Sequence, residues 1–200
     1  MFPSNVLPLH IFESRYREML EDAMQGDRLI AMATLMPGFE HDYYSRPPIE
    51  PIVCIGRVTA CKKTEQGTYN LLLQGLRRAK IAHEIEPVRS FRRANVQLID
   101  SGSSEEDMAV RRVGERLGER ILETLPAARE LVEGFIERNV PLASLVDIVA
   151  FHLPLTTELK LQLLGERDIA VRAELLLANL RPVKATSRQR RPYPTDFSAN

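Results

Sequence analysis

The rhythm of hydrophobic and polar positions changes near residue 101. Before it, apolar runs are short and punctuated by Gly and Pro; after it, longer segments repeat their apolar residues at helical spacing and carry capping signals. The shift predicts an α+β chain: a β-rich lobe over 1–101, a helical lobe over 102–182, and a basic tail over 183–200. That tail is rich in Ser, Arg and Pro and has too few apolar residues to order itself. No internal repeat is present.

In the first part, Phe12, Tyr16, Met19, Leu20 and Ala23 form one amphipathic stripe, so a helix is expected there, closed by Gly26. Strands are expected over Arg28–Met36, Pro51–Cys61 and Tyr69–Gln74. Polar Thr64-Glu65-Gln66-Gly67-Thr68 forms a hairpin between the last two. Two half-exposed antiparallel strands follow, Lys80–Glu86 and a segment in which Ala94, Val96 and Leu98 alternate with polar neighbours. Pro37–Pro48 reads as a long irregular loop. Such strands with one inserted helix suggest a small barrel or a twisted sheet rather than a βαβ array.

The second part opens with a capping box, Ser103 with Glu106, ahead of Val110, Val113, Leu117, Ile121 and Leu125 on one helical face. Pro126 and Pro141 suit the first turns of two further helices, carrying Leu131, Phe135 and Ile136, then Leu145, Ile148, Val149 and His152. Thr157 and Asp168 are N-cap candidates for two more, the last buried through Ile169, Ala173, Leu176 and Leu180.

Charge narrows the partners. With 27 basic and 27 acidic residues, no global field draws the chain to nucleic acid or an anionic membrane. Neither a signal peptide nor a long apolar span is present, and a cytoplasmic location is expected. Cys54 and Cys61 lie an odd number of residues apart in one strand and point to opposite faces, so they share neither a disulfide nor a metal and read as small buried hydrophobes.

Catalytic patterns are missing. None of the ten glycines precedes a Lys, so there is no P-loop, and no dinucleotide fingerprint or nucleophile elbow occurs. His10, His41, His83 and His152 are far apart in sequence, without zinc-hydrolase spacing. His10 and His152 sit among apolar neighbours and read as structural. Arg77, Arg78 and Lys80, then Arg89, Arg92 and Arg93, then Lys184, Arg188, Arg190 and Arg191 would form a phosphate-binding stripe if they converged, although Phe91 and Tyr193 are their only aromatic company. As scattered surface charge they carry no function.

Leu7-Pro8-Leu9-His10-Ile11-Phe12-Glu13, followed by Arg15-Tyr16-Arg17 and Met19, resembles the string that leads into the first helix of the N-terminal substrate-binding domain of Lon proteases, in its free-standing bacterial form. Gly26-Asp27-Arg28, Ile55-Gly56-Arg57-Val58, Leu71-Leu72-Leu73 with Gly75-Leu76-Arg77-Arg78, and Leu161–Leu164 with Asp168 and Arg172 follow in the same order. The resemblance covers residues 1–181. It implies a PUA-like β lobe beside a helical bundle, and recognition of unfolded or tagged proteins. The family's ATPase and Ser-Lys peptidase belong to later domains, so no catalytic, cofactor-binding or metal-ligating residue carries over.

One departure concerns the start. Family members place a further strand ahead of the Leu-Pro-Leu-His-Ile-Phe-Glu string, whereas here Met1-Phe2-Pro3 stands where that strand should end, so Met1 is expected to be an internal or misassigned start and the lobe to lack an edge strand. The expected function is a non-catalytic protein- or peptide-binding module, with RNA binding through the PUA-like lobe and the Arg clusters as the alternative and an uncharacterised hydrolase third. The cleft between lobes is the expected place for a peptide, and the loop carrying Tyr43-Tyr44 a secondary one.

Overall fold

The structure, a computed structural model, describes residues 1–180 except 42, 44, 87, 88, 101, 103–106, 125–132, 136, 137 and 139. The capping box at Ser103 and Glu106, Leu125, Pro126, Leu131, Ile136, Tyr44 and the basic tail therefore lie outside the described residues. The chain forms two compact units, one spanning Met1–Ile99 and the other beginning at Asp100.

The first unit holds β1 (Val6–Ile11), α1 (Ser14–Gln25), β2 (Leu29–Met32), a 3-10 turn (Phe39–His41), β3 (Ile52–Lys63), β4 (Tyr69–Glu84) and β5 (Ala94–Ile99). All pairings are antiparallel. The order is β1-β4-β3-β2 with β5 also on β4, a five-stranded sheet that does not close into a barrel among the described residues. Of the two expected architectures, the open twisted sheet is the one observed.

The strands expected at Tyr69–Gln74 and Lys80–Glu86 are one 16-residue strand, whose first half pairs with β1 and second half with β5. Between the halves the register skips Leu76, with Gly56 opposite Gly75 and Ile55 opposite Arg77. A bulge lets a strand bend without ending, which is why the Gly and Arg there resemble a turn in sequence.

The helix expected to carry Phe12 begins at Ser14, and the residues leading into it, Val6–Ile11, form a strand that was not among those expected. Leu7, Leu9 and Ile11 turn toward the core, while Phe12 lies 46% exposed ahead of α1. Phe12 follows Ile11, the last residue paired with β4, and Pro8 is tolerated because β1 ends the sheet order. The strand expected over Arg28–Met36 shortens to β2, followed by one bridge between Leu35 and Ile49.

The core of this unit gathers Leu9, Ile11, Leu20, Ile30, Val58, Leu71 and Leu73, with Tyr16, Met19, Ala23 and Met24 of α1 packed against it. Each fully buried Leu, Ile or Val of this set contributes about 1.5–3 kcal/mol by leaving water. The N-terminal residues are fitted closely onto the sheet: Phe2 is buried, Ser4 N–H donates to Gly75 O at 3.0 Å, and Gly75 N–H donates to Asn5 O at 2.8 Å. The hairpin after β3 is as expected, with Gly67 at φ 77° and the hydroxyls of Thr64 and Thr68 2.7 Å apart.

The second unit contains α2 (Met108–Thr124), α3 (Leu142–His152), α4 (Thr157–Gly165) and α5 (Ile169–Asn179). Val110, Val113, Leu117 and Ile121 are buried on α2, and Ile169, Ala173, Leu176 and Leu180 on and after α5. Asp168 caps α5, its carboxylate accepting from Ala170 N–H at 2.7 Å and Val171 N–H at 3.3 Å. For α4 the cap is Thr156, whose hydroxyl accepts from Leu159 N–H, and the expected Thr157 is the first helical residue. A hydroxyl must stand one position outside the helix to reach the free amides, so adjacent threonines shift the cap by one.

Candidate polypeptide-contact surface

The strand register builds a surface on the face of the sheet opposite α1. Across β1, β4 and β3 it aligns Val6 with Gln74 and Arg57, Pro8 with Leu72 and Ala60, and His10 with Asn70 and Lys62. Alternate residues of a strand share a face and stand about 7 Å apart, so these are three successive rows. Leu7, Leu9 and Ile11 fill the core, which leaves Val6, Pro8, His10 and Phe12 on this outer face. Val6 is 51% exposed, and Ala60, Lys62, Gln74 and Arg57 are exposed as well.

Its polar groups are ordered differently. His10 Nδ1 lies 2.6 Å from Asn70 Oδ1, and its ring stacks 6.1 Å from that of Phe12, so the histidine is held in place and in turn supports an exposed aromatic ring. Arg57 and Lys62 make no ion pair among the described residues. The strand positions of the face carry no carboxylate.

Where the string meets α1, a second cluster closes over the loop after β2. Glu13 accepts from Arg15 at 2.9 Å and from the Tyr43 hydroxyl at 2.8 Å, while the Arg15 guanidinium stands 4.8 Å from the Tyr16 ring and 4.9 Å from the Tyr43 ring. The hydrogen bond to the Glu13 carboxylate, with partial burial, pushes the Tyr43 phenol up to about 12. Tyr43, expected as an exposed loop aromatic, is therefore a half-buried anchor of that loop.

Other expected features are kept apart. Arg78 is buried, Arg89 pairs with Asp22 at 2.6 Å, and Arg92 pairs with Glu84 at 3.2 Å while Arg46 pairs with the same carboxylate at 2.6 Å. The arginines around Arg89 thus fasten loops to α1 and β4 rather than lining a phosphate track. His83 bonds to Asn95, and His152 is exposed against the edge of Phe151. Cys54 is buried, but Cys61, expected to be buried too, is exposed because β2 ends before it and leaves that part of β3 uncovered. Desolvation still holds its thiol above the usual range, which leaves little thiolate at neutral pH.

Among the described residues no cluster of His, Cys, Asp and Glu could hold a metal ion. An open groove of about 470 Å³ in the second unit is lined by Arg116, Glu119, Arg120, Glu123, Glu174 and Leu177. Its charges are largely satisfied by one another, through Arg116 with Glu174 at 2.6 Å and Arg120 with Glu123 at 3.1 Å. Among the described residues, no helix is long and apolar enough to cross a membrane.

Sequence reasoning did not single out Val6, Arg57, Lys62 or Leu72 as neighbours, because only the pairing of β1, β4 and β3 brings them to one face. The available signal was the alternation of Val6, Pro8, His10 and Phe12 against Leu7, Leu9 and Ile11, which reads as strand once the helical spacing of Phe12 is set aside.

Residues 1–181 match the family model described as the ATP-dependent protease La (LON) substrate-binding domain, and the chain belongs to that family. Relatives include Lon protease 2 of Myxococcus xanthus, 25% identical over 183 residues that make up 88% of this chain and 21% of that protein. Lon protease 1 of Bacillus subtilis is 28% identical over 176 residues, 84% of this chain and 22% of that protein. The chain thus spans about a fifth of the length of the relatives it matches.

Among solved structures, the Lon N-terminal domain protein from Xanthomonas campestris superposes with a TM-score of 0.65 at 21% identity, covering 90% of this chain and 93% of that one. The N-terminal domain of Lon protease from the Mycobacterium avium complex gives 0.68 at 18% identity, covering 90% and 91%. Both likenesses are of fold. The matched region is a substrate-recognition domain and includes neither an ATPase nor a protease domain.

Proposed function

We propose that this chain is a recognition module for extended or unfolded polypeptide, performs no chemistry of its own, and makes contact through the outer face of β1, β4 and β3. The match of residues 1–181 to a substrate-binding domain carries the reading. The face supports it physically: Phe12 at 46% and Val6 at 51% exposure flank Pro8 and Leu72 on a rigid sheet, which offers apolar area to a chain that has lost its own core.

RNA binding has weaker support. Its residues were the arginine clusters, and Arg78 is buried while Arg89 and Arg92 are neutralised by Asp22 and Glu84. A phosphate track needs several unpaired cations in line.

The test is equilibrium binding of a permanently unfolded test polypeptide, followed by fluorescence anisotropy, to the chain and to a Val6→Ser/Phe12→Ser variant. Both side chains are exposed, so the variant should melt within a few degrees of the parent and lose most of its binding. Absence of binding by the parent chain overturns the reading; equal binding by the two removes this face from it.

A further inference from the structure

The outer face carries a charge pattern as well as apolar area, and from it we infer that the module selects extended segments in which two carboxylates flank a bulky apolar side chain at alternate positions, Asp-x-Leu-x-Asp in form. This rests on the recognition reading above and adds the chemistry of the partner. The row with Pro8, Leu72 and Ala60 is apolar, and on either side of it lies a row ending in a cation, Arg57 in one and Lys62 in the other. Neither cation is committed to a carboxylate among the described residues, unlike Arg15, Arg46, Arg89 and Arg92 of the same unit.

Geometry sets the spacing. Along β4 the three rows fall at Asn70, Leu72 and Gln74. An extended peptide lying along the strands repeats its side chains on one side at the same interval of about 7 Å. A carboxylate at i meets the Lys62 row, an apolar residue at i+2 meets Leu72 and Pro8, and a carboxylate at i+4 meets the Arg57 row. A peptide of the same composition with its carboxylates on neighbouring alternate positions meets only one cation at a time. A lysine peptide brings like charges together and is rejected, so the face discriminates by repulsion as well as attraction.

The experiment compares short labelled peptides built on Asp-x-Leu-x-Asp, on the permuted Leu-x-Asp-x-Asp and on Lys-x-Leu-x-Lys, together with an oligoribonucleotide. Anisotropy gives affinity, and amide shifts of Lys62 and Leu72 report where each probe lies. The expected result is about tenfold tighter binding of the first peptide than of the lysine peptide, the size two exposed ion pairs supply. The permuted peptide should fall between them, and Arg57→Glu/Lys62→Glu should invert the order.

Equal affinities, or an order unmoved by the double charge reversal, overturn the inference. So does an oligoribonucleotide that binds more tightly than any peptide and shifts the same amides. If all peptides bind alike but the Val6→Ser/Phe12→Ser variant has lost them, the recognition reading stands and only the charge selection fails. If neither the peptides nor the unfolded test polypeptide bind, the recognition reading itself falls.

Discussion

A Cβ added at Gly75 would stand 2.2 Å from the carbonyl oxygen of Phe2, so the N-terminal residues approach β4 more closely than any side chain allows. Gly75→Ala should therefore cost about 3 kcal/mol in chemical denaturation, because backbone and not a flexible side chain has to move. Gly56→Ala, where the nearest atoms are Leu73 Cγ at 2.7 Å and Met1 Cε at 2.8 Å, should cost less, since one of the two is the free end of a methionine.

Tyr43 makes a second residue-level prediction. Its phenol is raised from 10.0 to about 12 by the bond to Glu13, so the neutral form is the one that folding favours. The stabilisation is complete below the unfolded value near 10 and disappears as pH rises toward 12. A spectrophotometric titration should show a late-ionising tyrosine that is absent from Tyr43→Phe.

At the scale of elements, α3 and α5 are locked by a buried pair, Arg172 donating to Asp147 at 3.1 Å with both side chains at most 2% exposed. Removing Asp147 takes a bonded carboxylate away from the buried Arg172 guanidinium, and Asp147→Ala should destabilise the second unit by about 3 kcal/mol, read from its thermal unfolding. Loss of the cap in Asp168→Ala should cost about 1 kcal/mol by freeing the amides of Ala170 and Val171.

At the scale of the whole molecule, a formal net charge of zero leaves recognition to local surfaces. Polypeptide affinity at the strand face involves two cations and several apolar groups, so between ~50 and ~200 mM salt it should weaken only a few-fold. Binding through many phosphates would lose about a thousandfold over that range. Isothermal titration across a salt series separates the two.

The α+β class, the hairpin at Gly67, α2 and α5 were legible from residue pattern alone, and the Leu-Pro-Leu-His-Ile-Phe-Glu string pointed to the family. Each of these depends on local rules: Val110, Val113, Leu117 and Ile121 recur at the helix period, Asp168 caps the amides beside it, and Gly67 takes a positive φ in a tight turn. The continuity of β4 through Gly75, the strand at Val6–Ile11, the anchoring of Tyr43 and the pairing of Arg89 and Arg92 were decided by tertiary structure. The outer face belongs with them. Val6 is more than fifty residues from Arg57, Lys62 and Leu72, which lie on the β3–β4 hairpin, and no local periodicity encodes which rung of one strand faces which rung of the next; that register is selected when Leu9, Ile11, Leu71, Leu73 and Val58 bury together, and the opposite face follows from it.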